Sequence, residues 1–214
     1  MSPSTPTIDG TPPGATKRSA PRSAKIIVAG GFGVGKTTLV GTLSEIPPLT
    51  TEAAMTTAAI GVDDGSKVSS KTTTTVAMDF GRLTIDQSLI LYIFGTPGQD
   101  RFGFMWDDLV VGALGAVVLV DLRRIDDCFP AIDFFESRDI PFVVAINRFD
   151  DVDTPDLAEV REALDLAEDH PIVVCDARFL ESVKLVVLRL LDLLVVEFKR
   201  KKARPSSGRR ALLR

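Results

Sequence analysis

The sequence predicts a layered α/β fold: a mostly parallel six-stranded sheet with one antiparallel edge strand and helices on both faces. Three observations carry this. Five short β-rich apolar runs recur along the chain: "KIIVAG" (25–30), "LILYIF" (89–94), "AVVLVD" (116–121), "PFVVAIN" (141–147) and "PIVVC" (171–175). Continuous runs of this kind suit strands covered on both faces of a parallel sheet. Helix-like segments separate most of them, and strands alternating with helices imply crossover connections. Around "TTVAMDFGRLTID" (74–86) the pattern loosens to alternation, with Gly81 and Arg82 near its middle. That suits an edge strand antiparallel to the next one.

In chain order, residues 1–24 are rich in Ser, Thr, Pro and Gly without apolar periodicity, which predicts a disordered arm. The folded body is expected over 25–198. A helix follows the glycines at 35–44, and another is expected at 129–138 after "DDCFP". A third, at 154–168, opens with Thr154 as N-cap and Pro155 at the first helical position. The last helix, 179–200, has polar residues at Glu181, Lys184, Arg189, Asp192 and Glu197, leaving an unusually broad apolar surface. No internal repeat is visible. Residues 199–214 form a tail with eight basic and no acidic residues.

A chain of 214 residues can bury one sizeable core. Its net charge of −4 hides a strongly acidic body beside the basic tail, which argues against specific nucleic-acid binding by the body. The tail is either a solvated end or a contact for an anionic membrane, a nucleic acid or an acidic partner. Cys128 and Cys175 lie in or beside apolar runs without metal-ligand spacing, so buried free thiols in a reducing cytoplasm are expected. His170 precedes a proline and reads as a solvated turn residue. "MSPSTPTIDGTPPG" has no apolar core and carries Ser at position 2, so neither a secretory leader nor myristoylation is expected. No uncharged apolar run approaches the ~18 residues a membrane span needs.

"GGFGVGKTT" (30–38) completes the pattern G-x-x-x-x-G-K-T with Gly30, Gly35, Lys36 and Thr37. It follows an apolar strand and opens a helix, the context that identifies a phosphate-binding P-loop. Polyphosphate oxygens need many donors with no bulky side chain in the way, and the N–H groups around Gly33, Val34 and Gly35 and the helix N-terminus supply them. Lys36 is expected to bridge the β- and γ-phosphates. Thr37 is expected to ligate Mg²⁺, and Thr38 to bond a more internal phosphate. The partitioning ATPases with a lysine early in this loop are a rival, but Gly31 and Phe32 occupy those places here.

The run "VVAINRFD" (143–150) ends in N-x-x-D, with Asn147 and Asp150. It resembles the N-K-x-D of Ras-like GTPases, whose aspartate pairs with guanine's N1–H and exocyclic amine. Adenine offers no such pair of donors, so a carboxylate there selects G over A. Arg148 replaces the usual lysine and can keep a long stem over the base. "CDAR" (175–178) stands in the place of the family's short S-A-K loop, making Asp176, the Ala177 backbone and Arg178 candidate base contacts. Over 25–198 the chain is similar to the small GTPases, which implies the three-layer P-loop NTPase fold, GTP or GDP as ligand and Mg²⁺ as cofactor.

The same resemblance assigns the switches. "TVAMDFG" (75–81) is similar to the segment after switch I, which makes Thr75 the second Mg²⁺ ligand, although the adjacent threonines leave the register open by one or two. "GTPGQ" (95–99) stands where Ras-like proteins carry D-x-x-G-Q. Gly98 is then the γ-phosphate sensor and Gln99 the catalytic residue that orients water. Gly95 replaces the aspartate that holds a metal-bound water, and Asp79 or Asp121 are the two candidates to compensate. Phe102, Phe104, Met105 and Trp106 form an apolar cluster that is either core or a docking patch. Arg101 is either an internal charge stabiliser or a solvated ion pair.

"P-G-Q" in this place resembles the MglA-like bacterial polarity GTPases. The longer set "VAGGFGVGKTT", "KTTTTVAMDFG", "LYIFGTPGQDRFGFMWDDLV" and "DCFPAIDFFE" resembles the conservon-type GTPases of actinobacteria. That likeness implies a roadblock-fold partner, a membrane sensor-kinase-like complex and a cytoplasmic signalling switch at the inner face of the plasma membrane. Phe32 stands where such loops carry a small glycine, which predicts slow hydrolysis and leaves a scaffold that barely hydrolyses GTP as the alternative. An ATPase switch is the third.

Overall fold

The computed structural model describes residues 20–47, 49–56, 73–98, 105–150 and 156–203, with the side chains of 49–56 and 73–77 outside that description. The strands are β1 (Arg22–Ala29), β2 (Leu49–Thr56), β3 (Thr73–Asp86), β4 (Leu89–Gly95), β5 (Gly115–Val120), β6 (Phe142–Asn147) and β7 (Ile172–Cys175). The helices are α1 (Lys36–Leu43), α2 (Trp106–Val110), α3 (Phe129–Glu136), α4 (Leu157–Ala163) and α5 (Leu180–Ala203). They build one sheet in the order β2-β3-β4-β1-β5-β6-β7. Strands β4, β1, β5, β6 and β7 run parallel, and β2 and β3 pair antiparallel.

The expected α/β class and mixed sheet are present, with one difference. Among the described residues the sheet has seven strands rather than six, because "LTTEAAMT" (49–56) adds β2 outside β3. Its Thr- and Ala-rich sequence lacks the apolar run that marks a doubly covered strand, so it is invisible to that criterion. β3 is consequently an inner strand of the antiparallel pair and not the edge.

Alternation along β1 feeds two cores. Ile26 and Val28 point to the layer shared with α1 and α5. Ile27 and Ala29 point to the layer of α3 and α4, where Phe135 is fully buried. Each fully buried Val, Leu or Ile side chain contributes about 1.5–3 kcal/mol, so the central strands β1, β5 and β6 hold the site's frame rigid. Cys128 and Cys175 are buried free thiols, and burial pushes both up to about 12, out of the reactive range.

Three local expectations are corrected. Helix α4 begins at Leu157 with Asp156 as its cap, its carboxylate accepting the Ala158 N–H at 2.8 Å, and Thr154 and Pro155 lie outside the described residues. It ends at Ala163, where Leu164 and the left-handed Asp165 turn the chain. His170 is not a solvated turn residue but half-buried, its ring 4.4 Å from that of Phe142, and desolvation lowers its pKa. Helix α5 runs on to Ala203, so Arg200, Lys201 and Lys202 lie on its last turn. It buries Val183, Val186, Val187 and Leu190 and leaves Leu185, Leu188, Val195 and Phe198 exposed. Among the described residues no helix is long and apolar enough to cross a membrane.

Candidate functional site

All five parallel strands end on the same edge of the sheet, and the chain leaves β1 between neighbours β4 and β5. This is the switch point where open α/β sheets hold ligands. The residues singled out from the sequence gather here.

Gly30 leaves β1 with φ +136°, and a Cβ on it would sit 2.3 Å from the Leu119 carbonyl oxygen of β5. Gly33 and Gly35 also hold positive φ, which lets the loop curl into a cradle of N–H groups before α1 begins at Lys36. Val34 is buried beneath it, and Thr38 is exposed on the first turn of α1. Lys36 folds back across the loop and its Nζ donates to the carbonyls of Gly30 (2.8 Å) and Gly31 (2.6 Å). Burial lowers its pKa to about 8, with the nearby Asp79 charge opposing that shift.

A polyphosphate beside Lys36 would hold it protonated, whereas the ligand-free lysine releases its proton as pH rises through about 8. Nucleotide affinity is therefore expected to be flat up to about pH 7.5 and to fall by close to tenfold per unit above about pH 8. Calorimetry in buffers of different ionisation enthalpy checks this. Uptake of about one proton on binding near pH 9 and almost none near pH 7 is the expected result, and pH-independent uptake would refute it.

On the other side of the loop, the Thr37 hydroxyl donates to Asp79 Oδ2 at 2.7 Å. Asp79 is 8% exposed and stands directly opposite Gly95 in the β3–β4 ladder. A Cβ on Gly95 would lie 3.0 Å from the Asp79 Cβ and 3.1 Å from its Oδ2. A carboxylate thus reaches the loop from the strand adjacent to Gly95, and a side chain at 95 would crowd it. Asp121 is engaged elsewhere. Its carboxylate is taken by Arg123 (2.9 and 2.7 Å) and faces Arg124 at 3.7 Å. Thr96, next after Gly95, has a buried hydroxyl with no hydrogen-bond partner among the described residues. Hydroxyl and carboxylate oxygens fit a hard cation such as Mg²⁺. Among the described residues no group of three or more His, Cys, Asp or Glu could hold a metal ion.

Gly98 closes on the loop from the β4 side. A Cβ there would come 2.6 Å from Lys36 Nζ and 3.0 Å from the Phe32 Cα. Phe32 projects outward, 65% exposed, and its carbonyl accepts from Arg124 Nη2 at 2.7 Å. Arg124, which sequence reasoning passed over, reaches the loop from the turn after β5. Thr75 lies in β3 opposite Ala54 of β2, with its side chain outside the description. Gln99, Arg101, Phe102 and Phe104 lie outside the described residues. Trp106 opens α2 and packs edge-on to Phe134 at 5.2 Å, so this member of the aromatic cluster is core.

Asn147 ends β6 and ties the loops together. Its Nδ2 donates to the Val34 carbonyl at 2.9 Å and its Oδ1 accepts the Ala177 N–H at 3.0 Å. That N–H, expected to face a base oxygen, is engaged by Asn147, while the Ala177 carbonyl accepts from Thr42. Arg148 is exposed and its N–H donates to Cys175 O. Asp150 stands at the rim, 75% exposed, in a bidentate pair with Arg178 (3.0 and 2.7 Å). Asp176 grips the same guanidinium at 2.9 and 2.7 Å. Hydrogen bonds from Arg178 hold both carboxyls below their ordinary range. Asp150 and Arg178 are 28 residues apart, and no sequence periodicity signals their meeting.

Residues 28–197 match the family described as "Conserved hypothetical ATP binding protein". The chain belongs to this family. An uncharacterized protein of Methanocaldococcus jannaschii is similar, at 35% identity over 137 residues, covering 62% of this chain and 76% of that protein. Among solved structures, the FeoB G-domain from Methanococcus jannaschii shares the fold with a TM-score of 0.51 and 13% identity, over 80% of this chain and 99% of that one. Family and fold together make this member a nucleotide-binding P-loop protein with a G-domain-like architecture. The MglA-like and conservon subfamilies are not distinguished by these matches.

Proposed function

We propose that the protein is a guanine-nucleotide switch that hydrolyses GTP to GDP and phosphate slowly, with Mg²⁺ as cofactor. The observation that carries the base assignment is the Asn147–Asp150 pair. Asn147 is bonded to the phosphate loop itself at Val34, so the Asp150 rim lies one loop away from the polyphosphate cradle. A carboxylate there would accept two donors from guanine but would meet adenine's N1 lone pair with repulsion. The test is which nucleotide accompanies the purified protein, read by chromatography after denaturation. Guanine nucleotide supports the reading, and adenine nucleotide contradicts it. The family's description favours a second reading, an ATP-binding switch, and the same chromatogram decides between them.

In the proposed cycle Lys36 grips the β- and γ-phosphates, and Thr37 and Thr75 supply metal ligands with Asp79 behind Thr37. The Gly98 N–H senses the γ-phosphate and Gln99 orients the attacking water. The metal would neutralise charge on the phosphate oxygens. Loss of the γ-phosphate releases Gly98 and Thr75 and relaxes both loops. The alternative of a non-hydrolysing scaffold rests on Gly95 and Phe32, and the Asp79 carboxylate beside Gly95 speaks against the first of these.

The exposed Phe32 ring is expected to crowd Gln99 and any arginine inserted by a partner, so Phe32→Gly should raise the single-turnover rate. An unchanged rate would leave slow hydrolysis without this explanation. The resemblance to MglA-like and conservon-type GTPases supports a cytoplasmic signalling complex with a roadblock-fold protein and a membrane sensor-kinase-like protein. The basic residues from 199 onward support contact with anionic lipid at the plasma membrane, to be read as salt-dependent binding to anionic vesicles.

A further inference from the structure

We propose that Arg178 is a built-in competitor for the purine base, holding the Asp150 carboxylate with a donor fork that imitates the guanine edge and thereby setting how readily nucleotide enters. This inference rests on the guanine reading of Asp150.

The geometry is bidentate. Nη1 donates to Asp150 Oδ2 at 3.0 Å and Nη2 to Asp150 Oδ1 at 2.7 Å. Guanine's N1–H and exocyclic N–H present the same two roughly parallel donors, spaced to the two oxygens of one carboxylate. One carboxylate edge accepts one fork at a time, so the arginine and the base exclude each other at Asp150.

The arginine has somewhere to stay when the base arrives. Nε donates to Asp176 Oδ1 at 2.9 Å and Nη2 to Asp176 Oδ2 at 2.7 Å. The Asp176 side chain is only 16% exposed, and its Oδ1 also accepts the Arg178 N–H at 3.0 Å. Asp176 is thus the fixed anchor and Asp150, at the rim, the mobile partner. Entry of the base costs the Asp150 half of the grip and leaves the Asp176 half in place.

The magnitude is bounded by exposure. Arg178 and Asp150 are 49% and 75% exposed, and exposed ion pairs are weak even with good geometry. The competitor is therefore expected to lower guanine-nucleotide affinity by roughly three- to tenfold. It should act mainly on association, because the fork must open before the base seats.

The experiment measures binding of GDP, and of ADP as control, by calorimetry, with association rates from a fluorescent GDP analogue. The proteins are the full chain, Arg178→Ala, Arg178→Gln and Arg178→Lys. The expected result is tighter GDP binding with faster association for Ala and Gln, and a smaller gain for Lys, which keeps charge but lacks the fork. Placed on Asp150→Asn, the Arg178→Ala change is expected to give no gain. Should the Ala variant fail to fold, Gln and Lys decide alone. If the unaltered protein prefers GDP to ADP but folded Arg178 variants bind GDP equally or more weakly, Arg178 is a brace or a base contact and this inference is overturned alone. If the unaltered protein shows no preference for GDP, the guanine reading falls and the inference with it.

Discussion

Asp150→Asn is expected to weaken GTP binding by about 10²–10³-fold and to gain affinity for xanthosine triphosphate, with ATP binding little changed. A carboxylate at 150 presents two acceptors to two guanine donors. The amide presents one acceptor and one N–H₂, and that N–H₂ faces a guanine N–H. Asp150 is exposed in the structure, but a seated base would cover it, and a covered site rejects the wrong partner strongly because groups are left unpaired. Xanthine carries a carbonyl at C2 and restores the match. Arg178 keeps its two bonds to Asp176 in this variant while its fork on position 150 is weakened, so the measured loss is the base contact less any gain from releasing the arginine. Competition binding with the three nucleotides checks it, and unaltered GTP affinity would remove Asp150 from the site.

Asp79→Asn is expected to lower apparent Mg²⁺ affinity in the nucleotide complex by roughly 10–100-fold, the range for losing a group that orients a metal ligand. The carboxylate accepts from Thr37 at 2.7 Å, and the amide is nearly the same size, so the fold should survive. The readout is the Mg²⁺ concentration that halves the release rate of fluorescent GDP. A reciprocal exchange sharpens the test. A Cβ at 95 would occupy space beside the Asp79 side chain, so Gly95→Asp alone is expected to be damaging. Combined with Asp79→Ala it should recover much of the lost metal affinity. Equal Mg²⁺ dependence in Asp79→Asn and the parent would exclude Asp79 from the metal site.

The phosphate loop and its strand were legible because a chemical pattern and an apolar run coincide over residues 25–38. The central strands were legible because burial on both faces leaves continuous Val, Ile and Leu. β2 was not, since an outer strand of Thr and Ala needs no such run. Gly95 by itself leaves Asp79 and Asp121 as equal candidates for the missing carboxylate. Choosing between them takes the antiparallel register that sets Asp79 against Gly95 and the arginines that occupy Asp121. The Arg178 fork and the Arg124 contact to Phe32 depend on loops far apart in sequence, where no local signal exists.

The central claim is that Asp150 selects guanine while Lys36 holds the polyphosphate in the cradle after β1. Titration calorimetry of the nucleotide-free protein with GTP and with ATP, in Mg²⁺ near neutral pH, tests it directly. One GTP per chain is expected, with ATP weaker by about 100-fold or more. Equal uptake of ATP, or uptake of neither, would contradict it.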